Sequence, residues 1–139
     1  MGLRSKAREV ALRALYEIEV GKFSPEYSLK DNLSQNNFPS DIVDFIRYLV
    51  DGVTEKIQVL DEVISRYALN WNINRMAIVD KNILRIGVFE LLFADDIPPK
   101  VSINEAVELA KKYGDVDSAR FVNGILDSVY RQEVIAKKQ

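Results

Sequence analysis

"IVDKNILRIGVFELLFADD", residues 78–96, decides the fold. Apart from Asp80, Lys81, Asn82, Arg85, Glu90 and the closing Asp95-Asp96, the segment is apolar almost all round. A helix with so little polar face is buried on most sides and therefore sits at the centre of its fold. Arg85 and Glu90 on such a helix need partners inside the protein, because a buried charge without one is strongly destabilising. Gly87 in mid-helix costs up to about 1 kcal/mol relative to Ala, which points to close approach by another helix. The same reasoning applies to Gly124 further along the chain.

Downstream, Ile97-Pro98-Pro99 ends the central helix, and "SINE" at Ser102 to Glu105 has the form of a capping box that opens the next one. Gly114 closes that helix. A last helix begins around Asp117 or Ser118 and continues towards Glu133, and the polar "IAKKQ" tail is expected to fray. Upstream, residues 40–67 place Ile42, Phe45, Ile46, Leu49, Val53, Ile57, Leu60 and Ile64 on one stripe, with a bend or break expected between Gly52 and Lys56. "KFSPEYSLKDNLSQNNFPSD", residues 22–41, mixes turn residues with a short helix near Tyr27 to Gln35. "LRSKAREVALRALYEI", residues 3–18, starts the first helix, which Ser5 can cap and which runs to about Gly21. No segment shows sustained period-two alternation, so the expectation is an all-α chain of six or seven helices in one domain.

Composition narrows the chemistry. The chain has 139 residues with neither Cys nor His. That excludes disulfides, thiolate nucleophiles, zinc sites built from Cys or His, and any dyad or triad that needs imidazole. There is no Gly-rich phosphate loop, and adjacent carboxylates such as Asp61-Glu62 and Asp95-Asp96 diverge on a helix. No enzymatic activity, cofactor or metal is expected. With no long apolar run and no secretory signal, the expected location is the cytoplasm, away from membranes. The Asn32-Leu33-Ser34 glycosylation pattern is then accidental.

Charge is unevenly spread: residues 1–14 carry net +3, residues 15–72 net −5, and residues 73–139 balance, for a total of −2. Arg4, Lys6 and Arg8 stand at a helix N-terminus, where the backbone dipole disfavours cations. Arg4 and Arg8 share the sector of Leu12 and Leu15, so they meet either carboxylates of another helix or an external polyanion. On the last helix, Phe121 lies about 90° from the centre of the apolar stripe at helical periodicity. It either seals the edge of a helix interface or, with Arg120, Lys111 and Lys112 nearby, offers a face for an unpaired base.

The blocks "LRIGVFEL", "INEAVELAK" and "SARFVNGILD" follow one another within residues 84–127, and "AREVALRALYE" precedes them at residues 7–17. In order and spacing these resemble the NusB family of bacterial transcription antitermination factors. The resemblance implies two small helical subdomains packed together, about residues 1–70 and 71–135. It also implies a non-catalytic role: with NusE, a small-subunit ribosomal protein, the family binds the single-stranded boxA element of nascent RNA, notably of ribosomal RNA operons. The complex joins RNA polymerase and suppresses termination. Carried over by position, the RNA-binding residues are Arg4, Lys6, Arg8, Lys111, Lys112, Asp117, Ser118, Arg120, Phe121 and Asn123. Those facing NusE are Tyr16, Asp80 and Lys81. A homodimer is a further possibility the resemblance raises. Two other functions compete with this one: an RNA-binding accessory domain like that of some RNA cytosine methyltransferases, and a helical protein-protein scaffold.

Overall fold

A computed structural model describes residues 2–69 and 71–138. Among them are seven α-helices and no strand: α1 (Leu3–Gly21), α2 (Pro25–Ser34), α3 (Ser40–Glu55), α4 (Ile57–Tyr67), α5 (Ile78–Phe93), α6 (Pro99–Tyr113) and α7 (Ser118–Val129). A 3-10 turn, Ile73–Arg75, precedes α5. After α7 the chain widens into a π-helical turn over Tyr130–Ile135 and tightens again at Ala136–Lys138. The chain divides into two compact units, residues 1–55 and 56–139. A division near residue 70 would put α4 in the first unit, but α4 packs on α5 and α7 and so belongs to the second.

In the first unit, α1 packs against both α2 and α3. Ala7, Ala11 and Ala14 are fully buried along α1, and their small side chains permit close approach. α3 answers with Ile42, Phe45, Ile46, Leu49, Val50 and Val53, the i, i+3, i+4 stripe of an amphipathic helix. α2 starts on two local signals: the Ser24 hydroxyl accepts from the Tyr27 amide (3.1 Å), and Pro25 occupies the first turn. Asn32 is 1% exposed, and its amide donates to the Glu17 carboxylate (3.0 Å) and the Ser28 carbonyl (2.8 Å). It ties α2 to α1, and so buried it is no glycan acceptor. Ser5 does not cap α1: the helix begins one turn's fraction earlier, after Gly2, without a side-chain cap.

The expected break falls at Lys56, between α3 and α4. Thr54 contributes, since its hydroxyl donates to the Val50 carbonyl (2.9 Å), a side-chain bond that competes with the backbone ladder near the helix end.

The second unit is built around α5, which packs on α4, α6 and α7. A different device joins it to each neighbour. Towards α4, the buried Arg85 guanidinium makes two parallel bonds to Asp61, Nε–Oδ1 and Nη2–Oδ2, both 2.8 Å, the strong bidentate geometry. Towards α6, the Ser102 hydroxyl donates to the buried Glu90 carboxylate (2.8 Å). Towards α7, Gly87 makes room for Leu126: a Cβ there would lie 2.7 Å from Leu126 Cδ1. Gly124 has no such reason, since a Cβ on it would meet nothing within 4 Å. Ser102 is also not a cap. α6 opens at Pro99, whose fixed φ suits the first helical position, which moves Ser102 into the helix and against Glu90. Gly114 does end α6, in an extended conformation, and a side chain there would collide with Ser118.

The last turns are tied to α4 through one carboxylate. The Glu133 carboxylate accepts from the Tyr67 hydroxyl, from Lys137 (2.9 Å) and from Arg66 (2.9 Å). Those bonds pull its carboxyl down to about 2. Gln139 lies outside the described residues.

Candidate nucleic-acid interface

Where the start of α5 meets the start of α7, the second unit has a cavity of about 280 Å³. Trp71, Arg75, Met76, Ala77, Asp80, Asp115, Asp117, Ser118 and Phe121 line it. Local hydrogen bonds shape both rims. On one, the Trp71 amide donates to the Ala68 carbonyl (3.0 Å), and the Asn72 side chain accepts from the Asn74 amide (2.8 Å), closing the turn that carries Arg75. On the other, the Asp115 carboxylate accepts from the Asp117 amide (3.0 Å), and the Ser118 hydroxyl accepts from the Asp115 amide (3.0 Å). This corner fixes the entry to α7 and the position of Phe121 one turn on.

Trp71 and Phe121 meet with ring centroids 5.1 Å apart and planes tilted by 59°. Phe121 is half-buried, while Trp71 is 58% exposed. Phe121 is thus packed against a neighbouring ring with part of its own surface still accessible. Asp80 is 9% exposed, and its Oδ1 is buried without a hydrogen-bond partner. Burial pushes its carboxyl above the usual range; the Ser118 hydroxyl opposes that shift and the Asp115 charge adds to it.

Of the other sequence-derived residues in this unit, Lys111, Lys112, Asp117, Arg120 and Asn123 are exposed, and Lys81 is half-buried. Lys111 pairs with Glu108 (3.3 Å), and the Lys112 ammonium lies 5.4 Å from the Tyr113 ring centre. The carry-over by position separates Asp80 from Ser118 and Phe121 as belonging to different surfaces. The structure puts all three on one cavity. It also adds Trp71, Arg75 and Asp115, which the sequence reading passes over. A lone Trp in the polar turn "LNWNINRM" was the available signal for the first of these.

In the first unit, Arg4 and Arg8 share one ring: their guanidinium carbons lie 4.4 and 5.3 Å from the centre of Phe45. This cation–π contact supplies part of what the helix dipole withholds. Arg8 is only 2% exposed, so it presents no open face, whereas Arg4 and Lys6 are exposed. Tyr16, further along α1, is 41% exposed. Among the described residues no helix is long and apolar enough to cross a membrane.

Fold and site together define an all-helical binding protein whose rings, carboxylates and cations suit an unpaired base and its phosphate. Comparison with known proteins makes this specific. Residues 5–131 match the NusB family, and the chain belongs to that family. Transcription antitermination protein NusB of Chloroherpeton thalassium is 44% identical over 135 residues, which cover 93% of this chain and 62% of that protein. Its counterpart in Myxococcus xanthus is 45% identical over 133 residues, covering 93% of this chain and 95% of that protein. In structure the chain is similar, at a TM-score of 0.86 and 30% identity, to a chain of the antitermination factors NusB and NusE in complex with dsRNA. That match covers 94% of this chain and 97% of the other.

Proposed function

We propose that the chain is a transcription antitermination factor that acts by binding and without catalysis. Together with NusE it holds single-stranded boxA RNA of nascent transcripts, notably of ribosomal RNA operons, in the cytoplasm, and helps RNA polymerase pass terminators. The observation that carries the reading is the Trp71–Phe121 ring pair on the cavity rim. Unpaired bases stack on such rings whatever their identity, and cations then track the backbone. Arg75, Lys111, Lys112 and Arg120 supply cations in the same unit, with Asn123 as a neutral hydrogen-bonding group. Arg4 and Lys6 supply charge in the first unit, where Arg8 serves as a fixed support. Tyr16, an exposed ring, and Asp80 are the groups assigned to the protein partner, with Lys81 as a secondary contact.

The test is a binding titration of boxA-containing RNA and a scrambled strand, with and without NusE, across a salt series. Binding should prefer boxA and weaken steeply with salt. Phe121→Ala should lose about 1–3 kcal/mol, the range for removing one base-stacking ring, and Lys111→Ala should lose less. Equal binding of both strands in the presence of NusE would defeat the reading.

A further inference from the structure

Stacking and phosphate contacts leave one element of the cavity unused. Asp80 lines the cavity whose rim carries the Trp71–Phe121 pair, and its Oδ1 is buried without a hydrogen-bond partner in a residue that is 9% exposed. A buried acceptor without a donor carries its full desolvation cost, and a ligand that brings an N–H into the cavity removes that cost. We propose that this cavity is a base-reading pocket in which one unpaired nucleobase packs against the tilted Trp71–Phe121 pair and donates an exocyclic amino N–H to Asp80 Oδ1. The inference rests on the RNA-binding reading above and adds to it a chemical selection at a single nucleotide.

The surroundings favour a base over other occupants. The two rings already touch at 5.1 Å, so a base joins them as a third ring and does not slide between them. Asp80, Asp115 and Asp117 outnumber the single cation of the lining, Arg75, so the cavity wall is net negative and turns phosphate away. Among the described residues no group of three or more Asp or Glu is placed to hold a metal ion. The volume of about 280 Å³ lies just below the range for drug-sized ligands, a size suited to one planar base. Enzymes that read an extruded base combine the same two elements, aromatic stacking and hydrogen bonds to the base edge.

The donor requirement sets the selectivity. Adenine, cytosine and guanine each carry an exocyclic amino group, whereas uracil presents its single ring N–H between two carbonyls that the carboxylates repel. One amine-bearing nucleotide of the bound strand is therefore read here, and uracil is disfavoured at that position.

The experiment measures binding of boxA-containing RNA to the full chain with NusE, deleting one exocyclic amine at a time. Inosine replaces guanosine, nebularine replaces adenosine, and zebularine replaces cytidine. In the unmodified protein one position should show a loss of about tenfold or more, the scale of a hydrogen bond to a charged acceptor. In Asp80→Ala, with NusE raised until its binding to the variant is saturated, that position should become insensitive, while the other positions keep their relative order. Circular dichroism of Asp80→Ala establishes that it is folded, and Trp71→Ala, at an exposed residue, should weaken the strand with or without the amine. If boxA is preferred over the scrambled strand but no position responds, or if the response survives unchanged in Asp80→Ala, the base-reading pocket is refuted while RNA binding stands. If boxA is not preferred at all, the RNA-binding reading falls and takes the pocket with it.

Discussion

Gly87→Ala and Gly124→Ala add the same methyl group to two helices of one unit, and the structure assigns them opposite signs. At Gly87 the new carbon would sit 2.7 Å from Leu126 Cδ1 and 3.0 Å from Cδ2, against an optimal carbon–carbon separation of roughly 3.5–4.0 Å. Leu126 is fully buried, so it has nowhere to swing. Overpacking of this kind costs about 1–3 kcal/mol. Exchanging Gly for Ala inside a helix returns about 1 kcal/mol, which leaves a net loss of about 1 kcal/mol. At Gly124 nothing lies within 4 Å, so the propensity gain of about 0.5–1 kcal/mol is retained. The two variants should therefore differ by about 2 kcal/mol in urea unfolding, read as shifts of midpoint at unchanged slope. Trimming the obstacle, Leu126→Val in the Gly87→Ala background, should cost less than the same change in the wild type. A Gly87→Ala protein as stable as wild type, or a Gly124→Ala protein less stable, would refute the account of how α5 and α7 mesh.

Asp61→Ala strips the buried Arg85 of its bidentate partner and should cost about 3 kcal/mol, the lower end for breaking a buried pair because Asp61 itself is partly exposed; thermal unfolding checks it. Glu133 has a carboxyl pulled down to about 2 from its ordinary 4.5, so the stability it contributes is present above pH 4.5 and is lost as pH falls through about 2. Glu133→Gln should accordingly be about 1–2 kcal/mol less stable at pH 7, with the gap closing in melts at pH 2. Asp80 behaves in the opposite sense: its carboxyl is raised above 3.8, so its stabilising share is present below pH 3.8 and lost as pH rises. Asp80→Asn should gain on the wild type from pH 3.8 upward and match it at lower pH; an advantage that does not change with pH would contradict the burial of that charge.

The helices were largely legible because each wrote its environment into its own periodicity. The lack of a polar face on α5 implies a central position, and the same helix's Arg85 and Glu90 imply partners, found as Asp61 and Ser102. The break near Lys56 was bracketed by Gly52 to Lys56. Competing local signals account for the misplacement at α6: "SINE" satisfies the pattern of a cap, but Pro99 earlier in the chain fixes the start, and sequence spacing does not rank the two. Gly124 shows the limit of reasoning from cost alone, since a mid-helix glycine can face either a neighbour or open solvent. The site was legible residue by residue and not as an arrangement. Trp71 lies in a turn without periodicity to orient it, and Asp80 meets Ser118 only because α5 and α7 pack side by side. Arg8 was recognisable as a cation out of place, but the ring that buries it belongs to another helix.

Phe45 is the ring under both Arg4 and Arg8, and it is itself buried. The position of that positive charge thus depends on an uncharged residue that hardly meets solvent. A leucine in its place would alter neither net charge nor polarity, yet both guanidinium groups would lose the ring they share. Arg4 is the exposed member of the two, and its ordering is completed when the chain folds, so an anion that it meets finds it already in place and does not have to immobilise it. Selection on an electrostatic property of this chain would then act on a hydrophobic position, where a survey of charged residues would not look for it.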